Sequence, residues 1–210
     1  MRVLVACEFS GRVRDAFLAA GHDAWSCDIL PCELDSQDRH IQGNVIEHLS
    51  DGWDMMVAHP PCTYLTTAAN KWMADIYREK YPRRLYDRLD SIHFFIDLWM
   101  APIPRIAIEN PRGIMSSVLR KPDQIIQPYQ FGDPEQKATC LWLKNLPRLV
   151  STPDDTLFEK KTYVEGRAQN VFLAAPSAER WKDRSRTPMG FARAMGQQWG
   201  SLSTKEDPNG

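Results

Sequence analysis

The sequence lacks several features that mark particular classes of protein. No apolar run approaches the roughly 18 residues that a membrane-spanning helix needs. The apolar run that follows Met1 is too short for a signal peptide. We therefore expect a cytoplasmic protein with no membrane partner. The chain also has no internal repeat and no low-complexity linker, so its 210 residues suit one domain, or one domain with a small appendage.

Cysteine is scarce and is poorly spaced for a disulfide framework or a zinc site. The five cysteines form no CxxC pair, and their odd number argues against complete pairing. Cys27 and Cys32 lie near His22 and His40 in the sequence, but without paired spacing we expect no bound metal. Reduced thiols in the cytosol are the simpler interpretation.

A basic excess is missing as well. The formal net charge is −1, whereas strong non-specific binding to DNA usually accompanies an excess of lysine and arginine. Two local stretches, 78–88 and 179–186, combine basic and aromatic residues. Each stretch is equally consistent with a surface that contacts phosphate and with a solvated helix face.

The chain does contain an alternation of apolar strands and amphipathic helices. Helices are predicted at 12–20, closed by Gly21, and at 84–100, where the apolar stripe is clearest. Its members are Leu85, Leu89, Ile92, Phe95, Ile96 and Trp99. Strands are predicted at 2–7, 23–27, 53–58 and 105–108, with further strands at 124–130 and 139–143 and a terminal helix at 188–199. This order predicts an α/β domain with a mainly parallel sheet and helices on both faces.

Polar residues follow directly after four of these strands. They are the segment Glu8-Phe9-Ser10-Gly11, Asp28, Cys62 and Glu109. Because ligands bind beyond the carboxyl ends of strands in such sheets, one crevice is expected to collect them. Cys62 follows two prolines that stiffen the backbone, so its thiol is a candidate nucleophile, although a small buried side chain is the alternative. Glu109 is a candidate for binding a ring nitrogen, and a simple Asn-Pro turn is the alternative there.

Together these segments resemble the motifs of the DNA cytosine carbon-5 methyltransferases, in that family's order, over roughly residues 1–145. The segment from His59 to Ala68 is similar to the family's Pro-Cys nucleophile loop. The segment from Glu109 to Gly113 resembles its Glu-Asn-Val motif, and residues 8–11 resemble its Phe-x-Gly cofactor loop.

The resemblance implies a Rossmann-like fold that binds S-adenosylmethionine (SAM) and acts on DNA, either duplex or single-stranded. It implies that Cys62 attacks carbon 6 of cytosine while Glu109 stabilises the protonated ring nitrogen, with the base flipped out or supplied by a single strand. The implied catalytic residues are Cys62, Glu109, Asn110 and Arg112. The implied cofactor residues are Glu8, Phe9, Ser10, Gly11, Asp28 (ribose), Asn44 (adenine) and Pro60. The implied substrate residues are Pro61, Thr63, Gln136 and Lys137.

The resemblance also implies a division of the chain. Residues 1–150 would form the SAM-binding catalytic domain, and 151–200 a short C-terminal segment whose terminal helix packs on the same domain. Residues 201–210 would be a disordered tail. The interval 150–185 is too short for the family's usual target-recognition domain. Relaxed specificity, a partner protein that supplies recognition, and a smaller substrate all remain open.

The sequence departs from the family pattern in several motifs. Three non-glycine residues, 12–14, follow Gly11 where the family is rich in glycine, and the family's Gln-x-Arg-x-Arg motif is only echoed by residues 136–140. Because both arginines of that motif are absent, Arg112 and Lys137 are the candidate replacement cations. The family's Gly-Asn-Ser motif is not visible either, and residues 186–190 are the candidate for its place. An exocyclic-amino methyltransferase that uses the His59–Cys62 loop is a second hypothesis. A catalytically silent binding module of the same fold is a third.

Overall fold

The computed structural model describes residues 1–34, 38–133, 136–152, 182 and 185–202. Residues 153–181 and 183–184, and with them most of the basic stretch 179–186, lie outside this description. The predicted disordered tail lies outside it from residue 203 onward.

Seven strands form one sheet within the described residues. Its order is β3-β2-β1-β4-β5-β7-β6, with parallel pairing from β3 to β5 and antiparallel pairing of β7 to both neighbours. The predicted Rossmann-like α/β fold, a mainly parallel sheet with helices, is confirmed. The strands are β1 (Arg2–Ala6), β2 (Asp23–Asp28), β3 (His40–Gln42), β4 (Met55–Ala58), β5 (Arg105–Pro111), β6 (Gln124–Ile126) and β7 (Thr139–Lys144).

The helices cover both faces of this sheet. They are α1 (Arg12–Ala19), α2 (Arg84–Met100), α3 (Met115–Val118) and α4 (Met189–Gly200), with 3-10 turns at Val45–His48, Thr67–Met73, Asp75–Tyr77 and Pro128–Phe131. None of the helices in the described part of the chain is long and apolar enough to cross a membrane.

Alternating side chains of each strand supply two separate hydrophobic cores. In β1, Val3 and Val5 face the helices α1 and α4, whereas Leu4 and Ala6 face the side of α2. The same alternation holds in β4 and β7, which is the period of two that a strand imposes. Strands buried on both faces must be apolar throughout, which explains the continuous apolar runs in the sequence.

Helix α1 ends as the sequence predicted. Gly21 adopts the left-handed conformation (φ 84°), its amide bonds to the Leu18 carbonyl at 2.9 Å, and the His22 amide bonds to the Phe17 carbonyl at 3.0 Å. These two bonds form a Schellman motif. Helix α4 then packs closely on α1, since a Cβ at Gly196 would lie 2.6 Å from the Ala16 carbonyl oxygen.

Three details of the sequence prediction are wrong. Leu85 and Leu89 are 59% and 43% exposed, because the first turns of α2 bury Arg88 against segment 64–70. The strand predicted over 124–130 ends at Ile126, where Pro128 begins a 3-10 turn. The short strand β3 was not predicted, since three residues are too few to show an alternating pattern.

Candidate active site

The strand order reverses between β1 and β4, and the candidate residues cluster around that point. β2 and β3 lie to one side of β1, whereas β5 lies beyond β4. Such a switch point opens a crevice at the carboxyl ends of the strands. Residues 8–11 follow β1, Asp28 ends β2, and the His59 loop follows β4. The expected convergence is therefore a direct consequence of the sheet topology.

Glu8 is committed to the fold of the loop after β1. Its buried carboxylate accepts the backbone amides of Val13 at 2.7 Å and Arg14 at 3.1 Å, and the Ser10 hydroxyl at 3.2 Å. It therefore caps the N-terminus of α1 from outside the helix. Burial raises the pKa of Glu8, while the charge of His59 and the two amides act in the opposite direction.

Gly11 begins α1 with a left-handed backbone (φ 70°). A Cβ there would lie 2.7 Å from the Arg14 guanidinium. That guanidinium is buried and donates to the Ser26 hydroxyl and the Cys32 sulfur. Of the two arginines that stand where the family has glycines, Arg14 is buried, and Arg12 donates to the Thr187 carbonyl at 2.9 Å.

Asp28 and its neighbours form the part of the crevice at the end of β2. The carboxylate is partly buried, its pKa is raised by burial, and one oxygen accepts the Leu30 amide at 2.9 Å. Cys7 lies nearby in a left-handed conformation (φ 59°), which is unusual for a residue other than glycine. Burial, and next the charge of Asp28, raise the pKa of the Cys7 thiol. Sequence reasoning missed Cys7, although its position after β1 was visible.

Asn44 and Phe9, in the loops that follow β3 and β1, each make a hydrogen bond. The exposed Asn44 accepts the Ile46 amide at 3.2 Å through its side chain, so it caps the turn at Val45–His48. Phe9 is buried, and its carbonyl accepts the Glu33 amide at 2.9 Å. Asn44 retains its side-chain amide group, and Phe9 serves mainly to anchor the loop.

His59 and Glu109 form a partly buried pair between β4 and β5. Parallel pairing of Ala58 with Ile108 places the following residues side by side, and the His59 Nδ1 lies 3.3 Å from the Glu109 Oε2. Burial by itself would raise the pKa of Glu109. The hydrogen bond from His59, the charges of Lys137 and His59, and Thr139 together outweigh burial and hold that pKa below its ordinary value. The carboxylate is therefore ionised at neutral pH.

Asn110 connects the two candidate loops. Its buried side-chain amide donates to the Pro60 carbonyl at 2.8 Å, which positions the two prolines before Cys62. Its Oδ1 and the His59 Nε2 are buried and have no hydrogen-bond partner among the described residues. Buried polar atoms without partners are costly, so both atoms mark places where a ligand or water is expected to bind.

Backbone hydrogen bonds then hold the Cys62 loop against the segment after β5. The Thr67 amide donates to the Arg112 carbonyl at 3.1 Å, and the Ile114 amide donates to the Leu65 carbonyl at 2.8 Å. A Cβ at Gly113 would lie 2.0 Å from the Leu65 oxygen, so only glycine permits this approach. Cys62 itself is half-buried at the start of the loop, while Pro61 and Thr63 are exposed.

Of the two candidate cations, the structure places Lys137 beside Glu109. Both line one cleft, together with Thr139, Arg186, Thr187 and Pro188, and the charge of Lys137 lowers the Glu109 pKa. Arg112 is exposed, as is Gln136. The segment 186–188, expected from the resemblance to stand near the site, reaches it at this cleft.

Comparisons with known proteins give likenesses of structure alone. No protein-family model and no curated protein matches the sequence. Solved structures that resemble it include an E. coli prophage protein assigned as a DNA modification methyltransferase (16% identity, TM-score 0.44), the S. pombe Dnmt2 methyltransferase (19%, 0.47) and the Entamoeba histolytica methyltransferase EhMeth (14%, 0.44). In the same order, the matched regions cover 68%, 81% and 72% of this chain. They cover 46%, 59% and 57% of the three solved chains. The chain thus spans about half the length of each.

Proposed function

We propose that this chain is a SAM-dependent methyltransferase that modifies carbon 5 of cytosine in DNA through a covalent adduct with Cys62. One observation carries the proposal. The Cys62 loop and the segment after Glu109 are joined by backbone hydrogen bonds beyond the carboxyl ends of β4 and β5, next to the switch point of the sheet. His59 and Lys137 hold the pKa of the Glu109 carboxylate below its ordinary value there. This arrangement suits a reaction with two requirements. Cys62 would attack the ring of the base, and Glu109 would stabilise the charge that the attack produces.

The residues at the ends of β1 and β2 fit the cofactor. Asp28 retains an oxygen for a ribose hydroxyl, and Asn44 retains its side-chain amide for an adenine edge. The turn at 8–11 supplies backbone groups near the same place. Bound SAM would supply the electrophilic methyl group. The residues of the chain hold and orient it, and they act on the base.

The chemistry at the base follows from the two candidate residues. The Cys62 sulfur bonds to carbon 6, and the electron pair of the 5,6 double bond then becomes available at carbon 5. As the sulfur bonds, the ring nitrogen takes up a proton from solvent, and the Glu109 carboxylate accepts a hydrogen bond from that N–H, so negative charge does not accumulate in the ring. After carbon 5 has received the methyl group, solvent water removes the proton of carbon 5, the double bond re-forms, and Cys62 leaves as thiolate. The ring nitrogen then returns its proton to solvent.

A covalent trap tests this mechanism directly. DNA that contains 5-fluorocytosine cannot lose a proton from carbon 5, so protein, DNA and SAM together should give a stable adduct visible by mass spectrometry. Cys62→Ala should give no adduct and no turnover, with its affinity for SAM nearly unchanged. Cys32→Ala, which removes a thiol outside the reaction path, is the matched control. Adduct formation or turnover by Cys62→Ala would refute the proposal.

The exocyclic-amino alternative makes a different demand on this loop. That reaction needs the side chain at position 59 and the prolyl carbonyl to hold the substrate amino group. Here His59 Nδ1 is engaged with Glu109 and the Pro60 carbonyl accepts from Asn110, so His59 Nε2 and the second lone pair of the carbonyl would have to hold that group. The same 5-fluorocytosine experiment separates the two reactions, because only the carbon-5 route passes through a cysteine adduct. Calorimetric titration with SAM addresses the silent-module alternative.

A substrate survey tests the choice of DNA. We expect transfer of a tritiated methyl group from SAM to DNA, and a comparison of duplex DNA, single-stranded DNA, RNA and free cytidine nucleotides will rank the four. Transfer to free nucleotides alone would replace DNA as the substrate and leave the Cys62 chemistry intact.

A further inference from the structure

The basic and aromatic segment beside the Cys62 loop contains an arginine whose charge is not balanced. The Arg84 guanidinium lies 5.2 Å from the ring centre of Tyr64 and 5.8 Å from those of Trp72 and Tyr81. No carboxylate of the described residues lies within ion-pair distance of it, and its Nε is buried without a hydrogen-bond partner. We call Arg84 and these three rings the arginine–aromatic cluster.

Its surroundings add positive charge. Arg84 is the first residue of α2, at the end where the helix dipole is positive, and no side chain caps that end. Arg88 follows one turn later, and burial and the charge of Arg84 lower its pKa. Lys71 and Lys80 lie 4.7 and 5.5 Å from the ring centres of Trp72 and Tyr81. Residues 71–88 hold six lysines and arginines against three acids, in a chain of net charge −1.

The stability of the fold does not by itself explain an arginine at position 84. Trp72 packs on Tyr77 and Tyr81 at 4.9 and 5.7 Å, which gives the segment a small core of its own. An apolar side chain at position 84 would complete that core without the cost of like charges one helical turn apart. The first turn of α2 also exposes Tyr86 (63%) and Leu85 (59%). A partly exposed cation among rings therefore fits a ligand that brings both an anion and a flat face.

Arg88 connects the cluster to the candidate nucleophile. Its guanidinium donates to the Tyr64 carbonyl at 3.0 Å and to the Asn70 side chain at 2.7 Å. Tyr64 is two residues from Cys62. A strand bound on the cluster would thus lie next to the base that Cys62 attacks.

We propose that the arginine–aromatic cluster binds a phosphate and an adjacent unpaired base of a single-stranded nucleic acid next to the target cytosine. Every base has a face that stacks on an aromatic ring, so such a site positions the strand without reading its sequence. In a duplex the bases stack on one another and their faces are not available. The proposal rests on the proposed function for the identity of the substrate, and it assigns the strand state that the enzyme prefers.

Fluorescence polarisation of labelled oligonucleotides tests the site without chemistry. In protein that carries Cys62→Ala, and without SAM, we expect a single strand to bind more tightly than the duplex of the same sequence. Arg84→Ala and Trp72→Ala should each weaken single-strand binding on the order of tenfold, whereas Trp72→Phe should retain most of it. Arg83→Ala is the matched control, because Arg83 is exposed, carries the same charge and pairs with Asp87. It should change binding by less than about threefold.

Two results would overturn the proposal. One is an equal loss of single-strand affinity in Arg83→Ala and Arg84→Ala, which would show that only the net charge of the segment matters. The other is duplex binding as tight as single-strand binding and equally sensitive to Trp72→Ala. If Trp72→Ala lowers the Tm, then Trp72→Phe and Arg84→Ala decide the matter. Because no methyl transfer is measured, failure here is distinct from failure of the Cys62 adduct.

Discussion

At the scale of single residues, the pair of His59 and Glu109 governs the charge of the candidate site. His59 stands immediately before the two prolines, and the sequence marked it only as part of the loop. Its hydrogen bond to Glu109 and its effect on the pKa of Glu8 place it near two carboxylates, of which Glu8 is buried and Glu109 partly buried. Its role could not be read from the sequence because the partner is 50 residues away.

The pair gives a pH-dependent prediction. The pKa of Glu109 is lowered, so the ionised form contributes stability and activity above the unfolded pKa, and both are lost as pH falls through the folded pKa. His59→Leu removes the hydrogen bond and the charge of His59, so that only Lys137 and Thr139 still oppose burial and the Glu109 pKa rises. The acid limb of the kcat/KM profile should move to higher pH, with His59→Gln intermediate. His48→Leu, a surface histidine facing Asp51, is the control. An unchanged acid limb would contradict the role of His59.

A second residue-scale prediction concerns the cofactor. Asp28→Ala should weaken SAM binding about tenfold to hundredfold, since a charge-assisted hydrogen bond contributes roughly 1.5–3 kcal/mol. Isothermal titration measures this change. Asp23→Ala, at the other end of β2, should leave the Kd for SAM unaltered. If the Kd is the same in Asp28→Ala, the ribose contact lies elsewhere.

At the scale of elements, the contact between the Cys62 loop and the segment after β5 decides the geometry of the reaction. A Cβ at Gly113 would overlap the Leu65 oxygen, so Gly113→Ala must separate the two segments. We expect at least a tenfold loss of kcat, because small misplacements of reacting groups are costly. SAM affinity should persist, since Asp28 belongs to another part of the sheet. Gly43→Ala, where a Cβ would meet nothing within 4 Å, is the control. Wild-type kcat in Gly113→Ala would show that this contact is dispensable.

Helices and strands were predicted correctly where their residue pattern depends on the element itself and not on what packs against it. The apolar runs of β1, β4 and β5 and the glycine stop of α1 were evident, because burial on both faces and a left-handed cap leave direct marks in the sequence. The apolar stripe of α2 was misassigned over its first two turns. Leu85 and Leu89 have the correct spacing, but whether a face is covered depends on what packs there, and here segment 64–70 takes Arg88 instead.

At the scale of the whole molecule, the short interval 150–185 predicts relaxed specificity for this chain by itself. Each bidentate contact with a base edge discriminates by about 1–3 kcal/mol, and the interval 150–185 leaves room for few of them. The isolated protein should modify cytosine with a context of one or two bases, and its activity should fall steeply as salt rises. Sequencing of the modified products measures this. A strict site of four or more bases, made by this chain alone, would contradict it.

The sequence by itself determined the fold class and the candidate nucleophile and carboxylate, because strand ends and proline-flanked thiols are local features of the chain. Only the tertiary structure decided what each group faces. It turned Glu8 into a helix cap, placed Lys137 rather than Arg112 beside Glu109, and set Arg84 among three rings. The physical reason is that charge, burial and hydrogen bonding depend on neighbours in space, and parallel strands bring together residues that are far apart in sequence.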